Sequence, residues 1–139
     1  MTEKELWLES GLTGEYDSFS FLDDNLLDLI LRKEKTGTSS LYDLYSYYNE
    51  ELPKENSYSI ILDKNDDARC IIKNKKVTIL PFNEVNEKLA YLEGEGDKSL
   101  SYWVKEHKAF FTKELEQINK EFHENMLIVF EEFTLVYVK

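Results

Sequence analysis

The spacing of apolar positions changes character several times along the chain. Residues 20–32, SFLDDNLLDLILR, set Leu22, Leu26, Leu29 and Ile30 on one stripe at helical spacing, with Leu27 and Leu31 beside it. This predicts an amphipathic helix. Ser20 with Asp23 three residues later is a capping signal, and the early acids suit the positive end of the helix dipole. KEKTGTSS follows, and its Gly37 and hydroxyl residues end the helix. SLYDLYSYYNEEL predicts a further short helical turn with an aromatic face built from Tyr42, Tyr45, Tyr47 and Tyr48.

After Pro53 the period shortens. SYSIIL (57–62), ARCII (68–72) and KVTIL (76–80) are short and rich in β-branched residues, so they predict strands. DKNDD and KNKK between them read as turns, which makes a three-strand meander ending at Pro81. NEVNEKLAYLE (83–93) returns to a helical pattern with Val85, Leu89 and Leu92 inward, and Gly94 and Gly96 stop it. Asp97 is placed to cap a long helix over roughly 98–120. Its stripe is Leu100, Trp103, His107, Phe110, Phe111, Leu115 and Ile118. The tail MLIVFEEFTLVYVK reads as one long strand or two, apolar on both faces as a central strand is, with Glu131 and Glu132 interrupting it at a bulge or bend. A meander closed by a distant last strand, with helices between, predicts one α+β domain over 1–139. Its core is a small, partly open barrel with helices packed outside.

Composition narrows the function. The 139 residues are 42% hydrophobic and 14% aromatic, enough for one core. Seventeen basic against 28 acidic residues leave a net charge of -11, which repels a phosphate backbone and argues against DNA and against sequence-independent nucleic-acid binding. Arg32, Lys33 and Lys35 could join Lys73, Lys75 and Lys76 as a basic cluster if the fold brings them together, but such runs are ordinarily solvated faces. No apolar run approaches the roughly 18 residues of a membrane helix. The opening MTEKELWLES is acidic and amphipathic, unlike a signal peptide, so a soluble cytoplasmic protein is expected. Cys70, the only cysteine, sits in RCII and reads as packing. His107 and His123 have no companions at ligand spacing, and the acids at 93, 95 and 97 lack the alternating oxygen ligands of a calcium loop. No metal or other cofactor is therefore expected.

EGEGDKSLSYW (93–103) followed by EHKAFF (106–111), together with KTGTSS (35–40), ILPFNEV (79–85) and VFEEF (129–133), resembles the ASCH-domain proteins over roughly residues 16–137. Their fold is the PUA-like β-barrel. The chain departs from the family pattern at Lys33, where the family has glycine, at Val104, where it has arginine, and at Asn56-Ser57, where it has Gly-Asp. A lysine in a left-handed cap costs roughly 1 kcal/mol more than glycine, whereas Asn accepts a positive φ readily.

The resemblance implies recognition of RNA or of a nucleoside. Some small members remove the acetyl group from 4-acetylcytidine, and others are linked to RNA binding or cleavage. The expected partner is a modified nucleoside or a short single-stranded RNA. The family's catalytic lysine, threonine and glutamate fall on Lys35, Thr38 and Glu95, with Thr36, Ser99, Trp103 and His107 as candidate substrate contacts. For amide hydrolysis Thr38 would be the nucleophile, Lys35 its base and Glu95 the proton donor to the leaving amine. Lys35 can act only as the neutral amine, so the scheme works best if Lys35 and Glu95 share one proton. It also needs a turn at Lys35 for Lys35 and Thr38 to face one way. Each residue has an ordinary reading too: surface lysine, first residue of a strand, solvated loop acid. Trp103 and His107, one turn apart, would ordinarily be core, and the tyrosines ordinary packing.

Overall fold

The computed structural model describes residues 1–21 and 23–139; Leu22, assigned above to the helical stripe, lies outside the described residues. The elements run α1 (Glu3–Ser10), β1 (Asp17–Ser20), α2 (Asp24–Leu31), β2 (Gly37–Leu41), α3 (Tyr42–Tyr47), β3 (Tyr58–Leu62), β4 (Ala68–Pro81), a 3-10 turn (Phe82–Glu84), α4 (Glu87–Glu93), α5 (Leu100–Glu116) and β5 (Leu127–Val138). The architecture is the expected α+β: a five-stranded sheet, order β1-β3-β4-β5-β2, curled into a half-barrel with helices against it. Only β1 and β3 run parallel. The two strands at opposite ends of this order, β1 and β2, line one and the same cavity, which is how the curl creates a site.

Three apolar clusters hold the helices to the sheet. Leu6 and Trp7 of α1 pack on Ile60, Ala68 and Ile71. Leu27 and Ile30 of α2 pack on Ile61, Cys70, Ile72 and Phe133. Trp103, Phe111 and Leu115 of α5 pack on Leu41, Phe82, Val85, Ala90 and Ile128. Cys70 is fully buried, and burial pushes its thiol up to about 12, so it packs and does not react.

Several expectations are corrected. Ser20 does not cap α2; it ends β1, and the cap is Asp23, whose side chain accepts from the Asn25 N–H. The fully buried face of α2 is Leu27 and Ile30, whereas Leu26 and Leu29 are half-buried. KTGTSS is not simply a helix stop. Gly37–Leu41 form β2, antiparallel to β5. KNKK is not a turn either: β4 runs unbroken through it, and the register slips there, Asn74 facing Phe133 and Lys76 facing Glu132. The extra residue in β4 is a bulge, the device by which a strand bends around a closed site. It lies opposite Glu132, so the irregularity read into the tail belongs to its partner strand. The tail itself is one strand, flanked by β4 and β2 as a central strand should be. Ser99, not Asp97, caps α5. Phe110 is 47% exposed and leaves the apolar stripe. Lys33 does adopt the left-handed conformation, φ 63°, and so does Asn56, φ 66°.

Candidate active site

The site starts at the end of α4. Ala90 and Glu93 lie three residues apart on the face that α4 buries, so helical spacing carries a carboxylate into the interior. Gly94 ends the helix at φ 70°. A Cβ there would meet the Glu34 carbonyl oxygen at 2.1 Å, so a glycine is what lets the α4 terminus touch the segment ahead of β2. That segment satisfies the helix's orphan carbonyls: the Thr36 N–H donates to Leu92 O at 2.7 Å, and Lys35 Nζ reaches Glu93 O at 3.5 Å. KTGTSS and EGEGD are thereby locked together.

Lys35 is 1% exposed, a cation folded inward. Its Nζ donates to Glu95 Oε2 at 2.9 Å and to Glu93 Oε1 at 3.3 Å, and lies 5.9 Å from the centroid of the Phe21 ring. It therefore leaves the basic cluster imagined for Arg32, Lys33 and Lys73–Lys76. Glu93, equally buried, also accepts from Ser39 Oγ (2.7 Å), the Trp103 indole N–H and His107 Nε2 (3.1 Å). Burial alone would raise the Glu93 carboxyl, but Lys35, His107 and the Trp103 donor outweigh it and hold it below the usual carboxylate range. Glu95 goes the other way: burial raises it and the Glu93 charge adds to this, against the pull of Lys35. His107 stacks on Trp103, centroids 4.3 Å apart, and gives its other nitrogen, Nδ1, to the Trp103 carbonyl at 2.9 Å.

This cluster borders a cavity of about 730 Å³. Lys35, Thr38, Glu93, Glu95 and His107 all line it. Lys35, from the loop, and Thr38, from β2 where it pairs with Glu131, both belong to this lining. In the same lining Glu131 accepts from Asn74 Nδ2 at 2.9 Å, Asp17 accepts from Ser59 Oγ, and Tyr45 shares a 2.7 Å hydrogen bond with Ser40. Eight carboxylates line the cavity against Lys35, Lys54 and His107.

The remaining candidates sit elsewhere. Thr36 serves the α4 terminus, Ser99 caps α5 and Trp103 is 2% exposed behind His107; none of the three lines the cavity. His107 does line it, but both ring nitrogens are already bonded, so it offers a ligand no free polar atom. Of Tyr42, Tyr45, Tyr47 and Tyr48, only Tyr45 lines the cavity, and Tyr47 and Tyr48 are half-exposed. The histidine spacing also misleads, because folding brings Glu93, Glu95 and His107 together, with one oxygen or nitrogen from each lying within 4.8 Å of the others. The Lys35 ammonium bonds both carboxylates, so the positive charge this group attracts is already supplied. From the sequence Glu93 is weighed only as a calcium ligand; its place three residues after Ala90 is the signal for a buried role.

A family model of the ASCH domain matches residues 16–137. The chain belongs to the ASCH-domain family. The ASCH domain from Lactobacillus crispatus JV V101 is 33% identical, covers 98% of this chain and 96% of its own, and superposes with a TM-score of 0.88. Protein EF3133 from Enterococcus faecalis V583 is 32% identical, covers 97% of this chain and 85% of its own, with a TM-score of 0.84. The hypothetical protein PH0355, 20% identical with a TM-score of 0.59 over 88% of this chain and 100% of its own, shares the fold. No functionally curated protein matches the chain. The ASCH domain is a PUA-like fold associated with RNA binding. No helix among the described residues is long and apolar enough to cross a membrane.

Proposed function

We propose that this ASCH domain is an amidohydrolase that removes an acyl group from the exocyclic amine of a small modified nucleoside, of which 4-acetylcytidine is the test case. The observation that carries this reading is that Lys35, Thr38 and Glu95 line one cavity, with Lys35 buried and bonded to Glu95 at 2.9 Å. The acidic lining supports it. A nucleoside has no phosphate for eight carboxylates to repel, whereas a polynucleotide backbone does.

The chemistry starts from the proton shared by Lys35 and Glu95. In the amine–acid form, neutral Lys35 takes the hydroxyl proton of Thr38 as its Oγ attacks the acyl carbon. Glu95 gives its proton to the departing amine, and the base leaves. Lys35 is then an ammonium, Glu95 a carboxylate and Thr38 an acyl ester. Water attacks the ester, giving its proton to Glu95, while Lys35 returns one to Thr38 Oγ. The acid product leaves, and the original proton arrangement is restored.

The test is to incubate the protein with 4-acetylcytidine and follow cytidine by chromatography, alongside titration with short single-stranded RNA at two salt concentrations. Release of cytidine, with RNA binding weak, is the expected result. Salt-sensitive RNA binding with no release of cytidine would replace this reading with an RNA-binding module.

A further inference from the structure

We infer that His107 is held as an imidazolium whose role is to be the counter-ion of Glu93, leaving Lys35 free to pass its proton to Glu95; His107 and Glu93 are positioning residues for Lys35. The functional consequence rests on the hydrolase reading above, but the charge state itself does not.

The hydrogen bonds decide where the protons are. Nδ1 of His107 lies 2.9 Å from the Trp103 carbonyl oxygen, which can only accept, so Nδ1 carries a hydrogen. Nε2 lies 3.1 Å from Glu93 Oε1. Either a carboxylic acid donates to a neutral ring or an imidazolium donates to a carboxylate. The other partners of Glu93 settle this. The Trp103 indole and the Ser39 hydroxyl donate to Oε2, and Lys35 donates to Oε1. An indole N–H has no alternative to donating, and this set of donors stabilises the anion. The proton between Glu93 and His107 therefore belongs to the ring. Burial opposes a charged ring, yet the hydrogen bond and charge of Glu93, with Glu95 behind it, leave His107 titrating above its ordinary value.

The charged groups facing His107 are Glu93 from α4, Glu95 from the loop after it and Lys35 from the segment ahead of β2; its own helix supplies the Trp103 carbonyl. Two cations thus face two carboxylates in a buried cluster. With His107 charged, a proton moving from Lys35 to Glu95 leaves the Glu93 anion still paired. With His107 neutral, the same transfer would leave the Glu93 anion buried and uncompensated, and Glu93 would hold the proton on Lys35.

The chain has two histidines, so nitrogen-15 spectra of histidine-labelled protein resolve the point directly. At about pH 7, just above the ordinary value at which a free imidazole loses its second proton, the His107 ring is expected to show both nitrogens protonated in wild type. The Glu93→Gln variant is expected to lose that pattern. A single-proton ring in wild type at that pH overturns the inference, whether or not 4-acetylcytidine is turned over. His107→Gln, which keeps a donor toward Glu93 and so protects folding, supplies the kinetic arm. Its kcat at neutral pH should fall at least about tenfold, with recovery as the acidic limb of the profile moves up by about one pH unit, and KM should stay within about twofold. A uniform loss with no movement of the limb contradicts the positioning role.

Discussion

Two sequestered glutamates line the cavity, and their carboxyls are shifted in opposite directions. Glu93 is surrounded by donors and cations drawn from three segments, and Lys35, His107 and Trp103 hold it below the usual carboxylate range against the pull of burial. Glu131 has one amide donor, Asn74. Burial raises it, the nearby Asp17 adds to the rise, and no cation pairs with it among the described residues. The difference is one of wiring. Glu93 is tied to a lysine 58 positions earlier in the chain by the glycine contact at Gly94, whereas Glu131 is placed by strand register, facing Val77 and Thr38. The first belongs to an ion cluster with Lys35, Glu95 and His107. The second offers a polar wall of carboxylate, amide and phenol, with the Tyr45 hydroxyl pushed up to about 12 mainly by burial.

This contrast can be broken most severely at Glu93. Glu93→Ala strands the Lys35 and His107 charges in the interior and should cost about 3–5 kcal/mol in urea unfolding. Gly94→Ala comes next. Its φ of 70° alone costs about 1–2 kcal/mol for any L-residue, and the added Cβ would press on the Glu34 carbonyl at 2.1 Å. A total loss above about 2 kcal/mol is expected, read as a lowered thermal midpoint. Hydrolysis should fall with it, because Glu95 is carried away from Lys35.

Smaller effects sharpen the comparison. Lys33→Gly relieves a non-glycine residue at φ 63° and should stabilise by about 1 kcal/mol. Glu131→Gln should stabilise by up to about 1 kcal/mol above the carboxylate range, since the folded state disfavours the ionised acid there and an amide can still accept from Asn74. The gain should vanish in acid, where Glu131 is protonated in both folded and unfolded chains. Glu93 has the opposite sign. Its folded-state carboxyl is depressed, so it stabilises above the ordinary carboxylate range, and this contribution disappears as pH falls through the folded-state value. Acid titration of stability in Glu93→Gln should accordingly be shallower than in wild type, and in Glu131→Gln steeper.

Most elements were legible from spacing because their burial is periodic: α5 buries Trp103, His107, Phe111 and Leu115 at helical intervals, and β5 is apolar on both faces at Ile128, Val129 and Phe130. The edge strands were not. DSFS and GTSSL carry too few apolar positions to show a period of two, and they are strands because β3 and β5 pair with them. KNKK reads as a turn because lysine and asparagine resemble turn chemistry, whereas the strand absorbs them as a bulge. At the site, Lys35, Thr38 and Glu95 were reached through resemblance, but the partners that give Lys35 its environment were not. A buried pair 58 residues apart leaves no local pattern, and a glutamate among other acids looks solvated until the helix face it occupies is counted.

The most direct test is the rate of 4-acetylcytidine hydrolysis by wild type, Lys35→Ala, Thr38→Val and Glu95→Ala, each checked for folding by circular dichroism. Turnover by wild type that falls at least about 100-fold in all three folded variants is the expected result. Turnover that survives substitution of Lys35 and Glu95 would contradict the assignment of this buried cluster as the catalytic site.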